Sequence, residues 1–268
     1  MKVIICFFLF WIPALCIAQL NPGAKQIALS NSDAAMCNDV FSVFNNMAGL
    51  DCLTKTQIGL FYSPSPFGFK ELANGYLCVN RPFEFGSLGI GVMTYGFDLY
   101  KENRFTAAYS RQIFPGYYAG ASINYQTVSI KNYGSSGSLF FNAGFLCSFV
   151  RNLYWGVYIN NVTRASIGSD KNQLPTVLNS GFCYTPKENL YINAAIEKDF
   201  DYNPSLKFGI DYTIISLLSL RTGFSTEPET FTAGIGINYL YFNCDYSILN
   251  HPDLGITHQF GIIINFEK

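Results

Sequence analysis

The chain has 268 residues, of which 49% are hydrophobic and 17% aromatic but only 13% charged, with a formal net charge of −1. Soluble domains carry charge at roughly 25% of positions, so the composition argues against an ordinary solvated surface. It also gives no electrostatic basis for binding nucleic acid or anionic headgroups.

Residues 1–18 open with Lys2 and continue as an almost unbroken apolar run to Leu15, then Cys16-Ile17-Ala18 before Gln19. This is the pattern of a secretory signal peptide cleaved after Ala18. A lipoprotein site at Cys16 is the rival, and Leu15 is large for the residue that precedes a lipidated cysteine. Beyond residue 18 no apolar run reaches the ~20 residues that a spanning helix requires. Only helices and closed barrels satisfy every backbone polar group in hydrocarbon. An exported, apolar, charge-poor chain without spanning helices is therefore expected to be an all-β transmembrane antiparallel barrel, residing in the cell outer membrane.

Residues 19–55 do not alternate. Asn38-Asp39 can cap a short helix running to Asn46, with Val40, Val43, Phe44 and Met47 on one face and Gly49 ending it. Such a helix reads as a plug or latch, or as a floor that closes the barrel.

From residue 56 to 268 the sequence alternates with period two. About fourteen segments result, at roughly 56–63, 71–81, 85–95, 103–112, 116–129, 138–149, 153–163, 177–185, 189–199, 204–214, 217–225, 230–238, 240–249 and 256–266. Leu190, Ile192, Ala194 and Ile196 alternate with Tyr191, Asn193, Ala195 and Glu197. Between Ile237 and Leu240 the apolar parity flips from odd to even, which marks a tight hairpin, because a continuous strand keeps its parity. Gaps after odd-numbered segments are generally the longer, as at 64–70 and 164–176, and those after even segments are short, as at 113–115. That is the arrangement of short periplasmic turns and longer outer loops. The face opposite the aliphatics is rich in Gly, Ser, Thr and Asn, which suits a lumen better than the packed interior of a sandwich. Fourteen strands at ~4.8 Å spacing and ~40° tilt give a backbone radius of roughly 14 Å, a lumen that needs filling.

The lumen parity carries charges. Glu197, Lys207, Asp211 and Arg221 are expected to form an internal ladder across adjacent strands, either stiffening the wall or narrowing the channel, since charges facing lipid are costly. Phe67 and Phe69 in the first outer loop are candidate rim contacts. Six cysteines follow residue 18. Cys37 and Cys52 flank the candidate helix and are the best-placed pair for a disulfide in an oxidising compartment, while Cys147 and Cys244 share parity with lipid-facing neighbours. No Cys-x-x-Cys, no Gly-x-Ser-x-Gly and no Ser/His constellation is present, and His251 and His258 lack convergent ligands. No enzyme chemistry, metal or cofactor is expected.

Both ends of the chain resemble a known group. Gly23-Ala24-Lys25-Gln26-Ile27-Ala28-Leu29, Asp39 and Asn46-Met47-Ala48-Gly49-Leu50 resemble the N-terminal signature of the PorV/PorQ group of FadL-like outer-membrane proteins. Asp245-Tyr246, residues 254–260 and Asn265-Phe266 resemble its closing hairpin. Lys25 stands where arginine is usual, and Met47 where proline is. The resemblance implies a fourteen-stranded barrel with the N-terminal segment tucked into or under it. It implies two roles. The first is service to type IX secretion or surface assembly, with secretion-machinery or cargo proteins as partners. The second is a FadL-like channel for uptake of small hydrophobic compounds.

Overall fold

The computed structural model describes residues 22–36, 38–168 and 172–266. The signal peptide and its cleavage point therefore lie outside the described residues, as does the pairing of Cys37 with Cys52, because Cys37 falls outside them.

Fourteen antiparallel strands close on themselves. They are β1 (Thr56–Ser63), β2 (Asn74–Phe83), β3 (Gly86–Phe97), β4 (Tyr100–Phe114), β5 (Tyr117–Ile130), β6 (Gly134–Val150) and β7 (Leu153–Asn160). After a small ribbon, β8 (Ser166–Ile167) with β9 (Asn172–Gln173), the wall resumes with β10 (Val177–Lys187), β11 (Leu190–Asp199), β12 (Ser205–Ile215) and β13 (Leu218–Thr226). It finishes with β14 (Glu229–Tyr239), β15 (Phe242–His251) and β16 (Gly255–Phe266). The seam pairs β1 with β16, from Thr56 opposite Phe266 to Tyr62 opposite Phe260. Both ends of the barrel therefore lie at one rim, called the terminal end here; the opposite rim is the loop end.

The alternation in sequence becomes the inside and outside of the wall. Ile192, Ile196, Leu206, Phe208 and Ile210 are exposed on the outer surface, while Asn193, Lys207 and Asp211 are buried inward. The parity flip falls at the turn between β14 and β15, where Leu240 takes a left-handed φ of 51°. Strands run further than the alternation alone indicates, because turn-forming residues keep their ladder hydrogen bonds. Three connections expected to be long are consequently short: Asp98-Leu99 joins β3 to β4, residues 131–133 join β5 to β6, and residues 252–254 join β15 to β16.

The two longer connections cover exposed strand edges. β6 pairs with β7 only from Ala143 opposite Ile159 towards the terminal end, so its stretch from Gly134 to Asn142 rises above its neighbour. Residues 161–168 lie along that edge. The Val162 amide donates to the Phe141 carbonyl (2.8 Å) and the Gly168 amide to the Ser136 hydroxyl (3.1 Å). At the seam, the end of β16 beyond β1 is met by residues 64–73, whose Phe67 amide donates to Thr257 Oγ1 (2.8 Å). Unpaired edges invite association, and these two are covered.

The N-terminal segment fills the terminal half of the lumen. It consists of α1 (Ala24–Ala28) and two 3-10 turns, Val40–Val43 and Met47–Cys52. The expected single helix from Asn38 to Asn46 is thus two turns. Asp39 caps the first by accepting from the Phe41 amide, and Asn46 caps the second by accepting from the Ala48 amide. Two capping side chains seven residues apart each start a new turn, leaving no room for a continuous helix. Gly49 sits buried inside the second turn and does not end the first.

Candidate functional site: the plug and the wall around it

The plug presents an apolar side and a polar side. On the apolar side Val40, Phe41, Val43, Phe44, Met47 and Leu50 are buried against Phe61 of β1, Tyr76 and Cys78 of β2, Met93 of β3 and Ala108 of β4. Phe41 meets Phe61 edge-on, Phe44 meets Tyr76, and Phe61 meets Tyr76, with ring centroids 6.5, 5.1 and 5.8 Å apart. Edge-to-face contacts of this kind add about 0.5–1.5 kcal/mol each to the burial itself.

The polar side is organised by Asp39. Its carboxylate accepts from Gln26 Nε2 at 3.0 and 2.8 Å and from the Phe41 amide at 3.0 Å, and Lys25 Nζ lies 3.5 Å away. Lys25 also donates to Asn38 Oδ1 (2.6 Å). Asp39 therefore ties α1 to the first 3-10 turn and gives the plug a folded core of its own. Asp33, also buried, accepts from Asn45 Nδ2 at 3.2 Å, and burial pushes its carboxyl up to about 6.

What lets the plug approach the wall is glycine. Gly59, Gly89, Gly91, Gly120, Gly144, Gly156, Gly209, Gly223, Gly234 and Gly261 point inward around the barrel, and each is met by the plug. An ideal Cβ on Gly89 would fall 2.6 Å from Val43 Cγ2; on Gly91, 2.4 Å from the Phe44 ring; on Gly156, 2.0 Å from the Ala34 carbonyl oxygen. At nine of the ten a Cβ would stand less than 3.0 Å from a plug atom, and at Gly261 the nearest, on Ala24, is 3.3 Å away. The alternation in sequence puts glycine on the lumen face, without showing the ring these residues form or what they receive.

The four charges of the expected ladder form two groups. Lys207 Nζ lies 2.7 Å from Glu197 Oε2, although the two are not directly opposite: Glu197 faces Ser205 and Lys207 faces Ala195 in the register, so the pair is diagonal. Asp211 and Arg221 are directly opposite, with Nε 3.1 Å from Oδ2. Arg221 also bonds Asp245 of β15 through its Nη1, passing over Gly236 of β14, where a Cβ would stand 2.6 Å from the guanidinium. Asp245 was not singled out from the sequence. Its lumen parity in β15 and the glycine between it and Arg221 were the available signals.

Towards the loop end the lumen carries a second polar group. Glu102 accepts from Tyr100 Oη and from Gln126 Nε2 (2.8 Å); Arg104 Nε donates to Gln126 Oε1 (3.0 Å), with its guanidinium 5.4 Å from the Phe140 ring centre. Tyr76 and Met93, between this group and the plug, are buried in the same apolar cluster as Phe44.

The remaining expected sites behave as follows. Phe69 is exposed in the first outer loop. Phe67 is folded back, its ring edge-on to His251 at 6.0 Å, so only Phe69 is presented outward. Cys244 is exposed on the outer face. Cys147 has outward parity but is buried, in register with Tyr117 and Trp155.

No family model matches the chain, and no curated protein matches it. Solved structures do. The P. putida toluene transporter TodX aligns over 92% of this chain and 99% of its own, at 13% identity with a TM-score of 0.70. The fold is that of the FadL-like outer-membrane barrels. The Ralstonia pickettii toluene transporter TbuX (10% identity, 92% and 98% covered, TM-score 0.62) agrees. So does a Pseudomonas aeruginosa FadL homologue (12%, 91% and 97%, TM-score 0.61). The finer likeness to PorV and PorQ rests on the two end segments alone.

Proposed function

We propose that this protein is an outer-membrane channel for small hydrophobic compounds, in which the N-terminal segment is the gate. The observation that carries the reading is the FadL-type barrel aligned over nearly the whole chain, with its lumen occupied by a plug whose apolar side faces β1 to β4. The sequence reading put service to type IX secretion first. The likeness to hydrocarbon transporters supports uptake better, and partners from a secretion machine have no support beyond the end-segment resemblance.

In this reading a solute enters at the loop end, passes the Glu102–Arg104 group, and reaches the apolar strip of Tyr76 and Met93. There it replaces the contacts of Phe41 and Phe44 with their wall partners. The wall is continuously paired from β1 through β4, so the solute is released past the plug and not through a gap between those strands. Ring-on-ring contacts suit a gate, because an incoming apolar solute can substitute for the aromatic face it displaces. The charged groups hold the opposite wall fixed while the apolar side of the plug yields. Outer-membrane lipid surrounds the exposed aliphatic band.

The test is a reversible tether. With the other native cysteines replaced, Val40→Cys sets a thiol beside the native Cys78 across the plug–wall contact, since Val40 Cγ1 and Cys78 Sγ both meet the space above Gly59. Uptake of toluene and of the fluorescent probe N-phenylnaphthylamine is then followed in expressing cells. Expected are faster uptake with the channel than without it, loss of that gain on oxidation, and recovery on reduction. Uptake indifferent to the channel refutes transport; transport indifferent to the tether refutes the gate.

A further inference from the structure

On the outer face of β2 to β6 the wall carries a hollow of about 440 Å³. Its low point is Ala107 of β4, a methyl group among the larger outward side chains Leu77, Ile90, Val92, Phe105 and Ile123. The register sets Ile90, Ala107 and Ile123 side by side, so the alanine interrupts a row of branched chains. Outward positions on β4 run from Lys101 through Phe105, Ala107 and Tyr109 to Arg111. At ~3.3 Å per residue and ~40° tilt, Lys101 to Arg111 spans about 25 Å of depth, the height of the apolar band of such a barrel. Arg111 therefore stands at one edge of that band. Its edge is the terminal end, where every connection between wall strands is two residues, which marks the periplasmic side. Arg81 of β2 joins it there. Arg81 is in register with Leu88, Leu88 with Tyr109, and Arg111 is the next outward position beyond. The two Cα atoms are thus roughly 12 Å apart, a gap that two arginine side chains can close on one phosphate. Both are exposed, Arg81 rests over the Phe83 ring at 5.2 Å from its centre, and among the described residues neither forms an ion pair. Glu84 in the adjoining turn leaves this edge with one positive charge in excess.

We propose that this outer face holds one anionic diacyl phospholipid of the periplasmic leaflet, its phosphate between Arg81 and Arg111 and one acyl chain laid in the Ala107 hollow. Charge and depth agree. Guanidinium forks bind phosphate oxygens in pairs, and arginine is tolerated on a lipid-facing wall at the headgroup level. Ala107 lies four residues from Arg111, about 10 Å deeper in the bilayer, within the ~15 Å of one leaflet. The chain's net charge of −1 conceals this pairing, which the register alone brings together. The site goes beyond the channel reading, because occupancy requires no passage through the lumen and no movement of the plug.

The experiment is native mass spectrometry of the full mature protein in a neutral detergent, titrated with phosphatidylglycerol and with phosphatidylcholine of the same acyl chains. Folding of each variant is checked by its heat-modifiable mobility on gels. Expected on the wild-type protein is a first phosphatidylglycerol bound in preference to phosphatidylcholine and not displaced by inorganic phosphate, a readout that needs no variant to fold. Arg81→Gln/Arg111→Gln should weaken phosphatidylglycerol about tenfold and leave phosphatidylcholine unchanged. Ala107→Phe, which fills the hollow and keeps both arginines, should weaken both lipids. Lys101→Ala, at the opposite edge of the band, should change neither. Equal binding of the two lipids, or indifference to the arginine pair, overturns the proposal. Displacement by inorganic phosphate would reduce the site to an anion site without a lipid, and loss of binding in Lys101→Ala would move the lipid to the other leaflet; either outcome overturns it as well.

Discussion

Replacing Arg221 with methionine isolates what the buried charges do. Arg221, Asp211 and Asp245 are each at most 7% exposed, and one guanidinium serves both carboxylates. At 3.1 Å and an effective dielectric near 20, one contact is worth about 5 kcal/mol of Coulomb energy. Desolvation of each ion, several kcal/mol, offsets most of that. The intact triad is therefore close to neutral in net terms, but Arg221→Met leaves two buried carboxylates facing each other with no counter-charge. The expected loss is about 3–5 kcal/mol. Urea unfolding in detergent, followed through Trp155 fluorescence and heat-modifiable mobility, measures it. The triple variant Asp211→Asn/Arg221→Met/Asp245→Asn should recover most of the loss, because no charge remains to be desolvated. A loss below about 1 kcal/mol for the single variant, or a triple variant no better than the single, would mean that water reaches these groups and that the reasoning from burial is wrong.

Glycine at the plug contacts should resist even a methyl group. Gly156→Ala and Gly120→Ala push against plug backbone, at 2.0 Å from the Ala34 carbonyl and 2.7 Å from the Ala48 amide, and should cost about 1–3 kcal/mol and raise protease cleavage of residues 22–55. Gly75→Ala meets only ordinary contacts, beginning at 3.6 Å, and should leave cleavage unchanged. Asp39→Ala removes a cap and the partner of Gln26 and Lys25. It should destabilise the plug by about 1–2 kcal/mol, read as the same increase in proteolysis, with Asp39→Asn milder because it keeps the cap. Asp33 titrates near 6 in the folded chain against 3.8 unperturbed, so the folded state favours its protonated form. That contribution is full below about pH 4 and is lost as pH rises through 6. Asp33→Asn should therefore raise the melting temperature at pH 8, by the equivalent of roughly 3 kcal/mol, and leave it unchanged at pH 4; an equal gain at both would locate the effect elsewhere.

The barrel was legible because a half-lipid, half-lumen wall writes itself as period two, and a turn writes itself as a change of parity, as at Leu240. Connection lengths were less so. Residues 96–102 carry Gly, Asp, Lys and Glu and read as a loop, yet Tyr95, Gly96 and Phe97 pair with Glu102, Lys101 and Tyr100, because a ladder is satisfied by backbone whatever the side chains. The plug was legible as apolar and non-alternating, but its path was not. Whether Asn46 continues a helix or caps a new turn depends on the Ala34 and Phe145 carbonyls that its amide reaches across the fold. The diagonal Glu197–Lys207 pair shows the same limit: parity puts both inside, and only the register decides that they meet corner to corner.

The ring of inward glycines also makes a closed wall dependent on the plug. Ten wall positions have no side chain to offer one another, so an empty barrel of this sequence would enclose a gap where its girdle should pack. The seam strands are the first and last of the wall, and the plug precedes them both in the chain. The segment supplies the solid form against which the closed sheet packs. The plug is then the mandrel of the barrel as well as its stopper, and shortening it should trap the protein as an unclosed sheet before it ever yields an open pore.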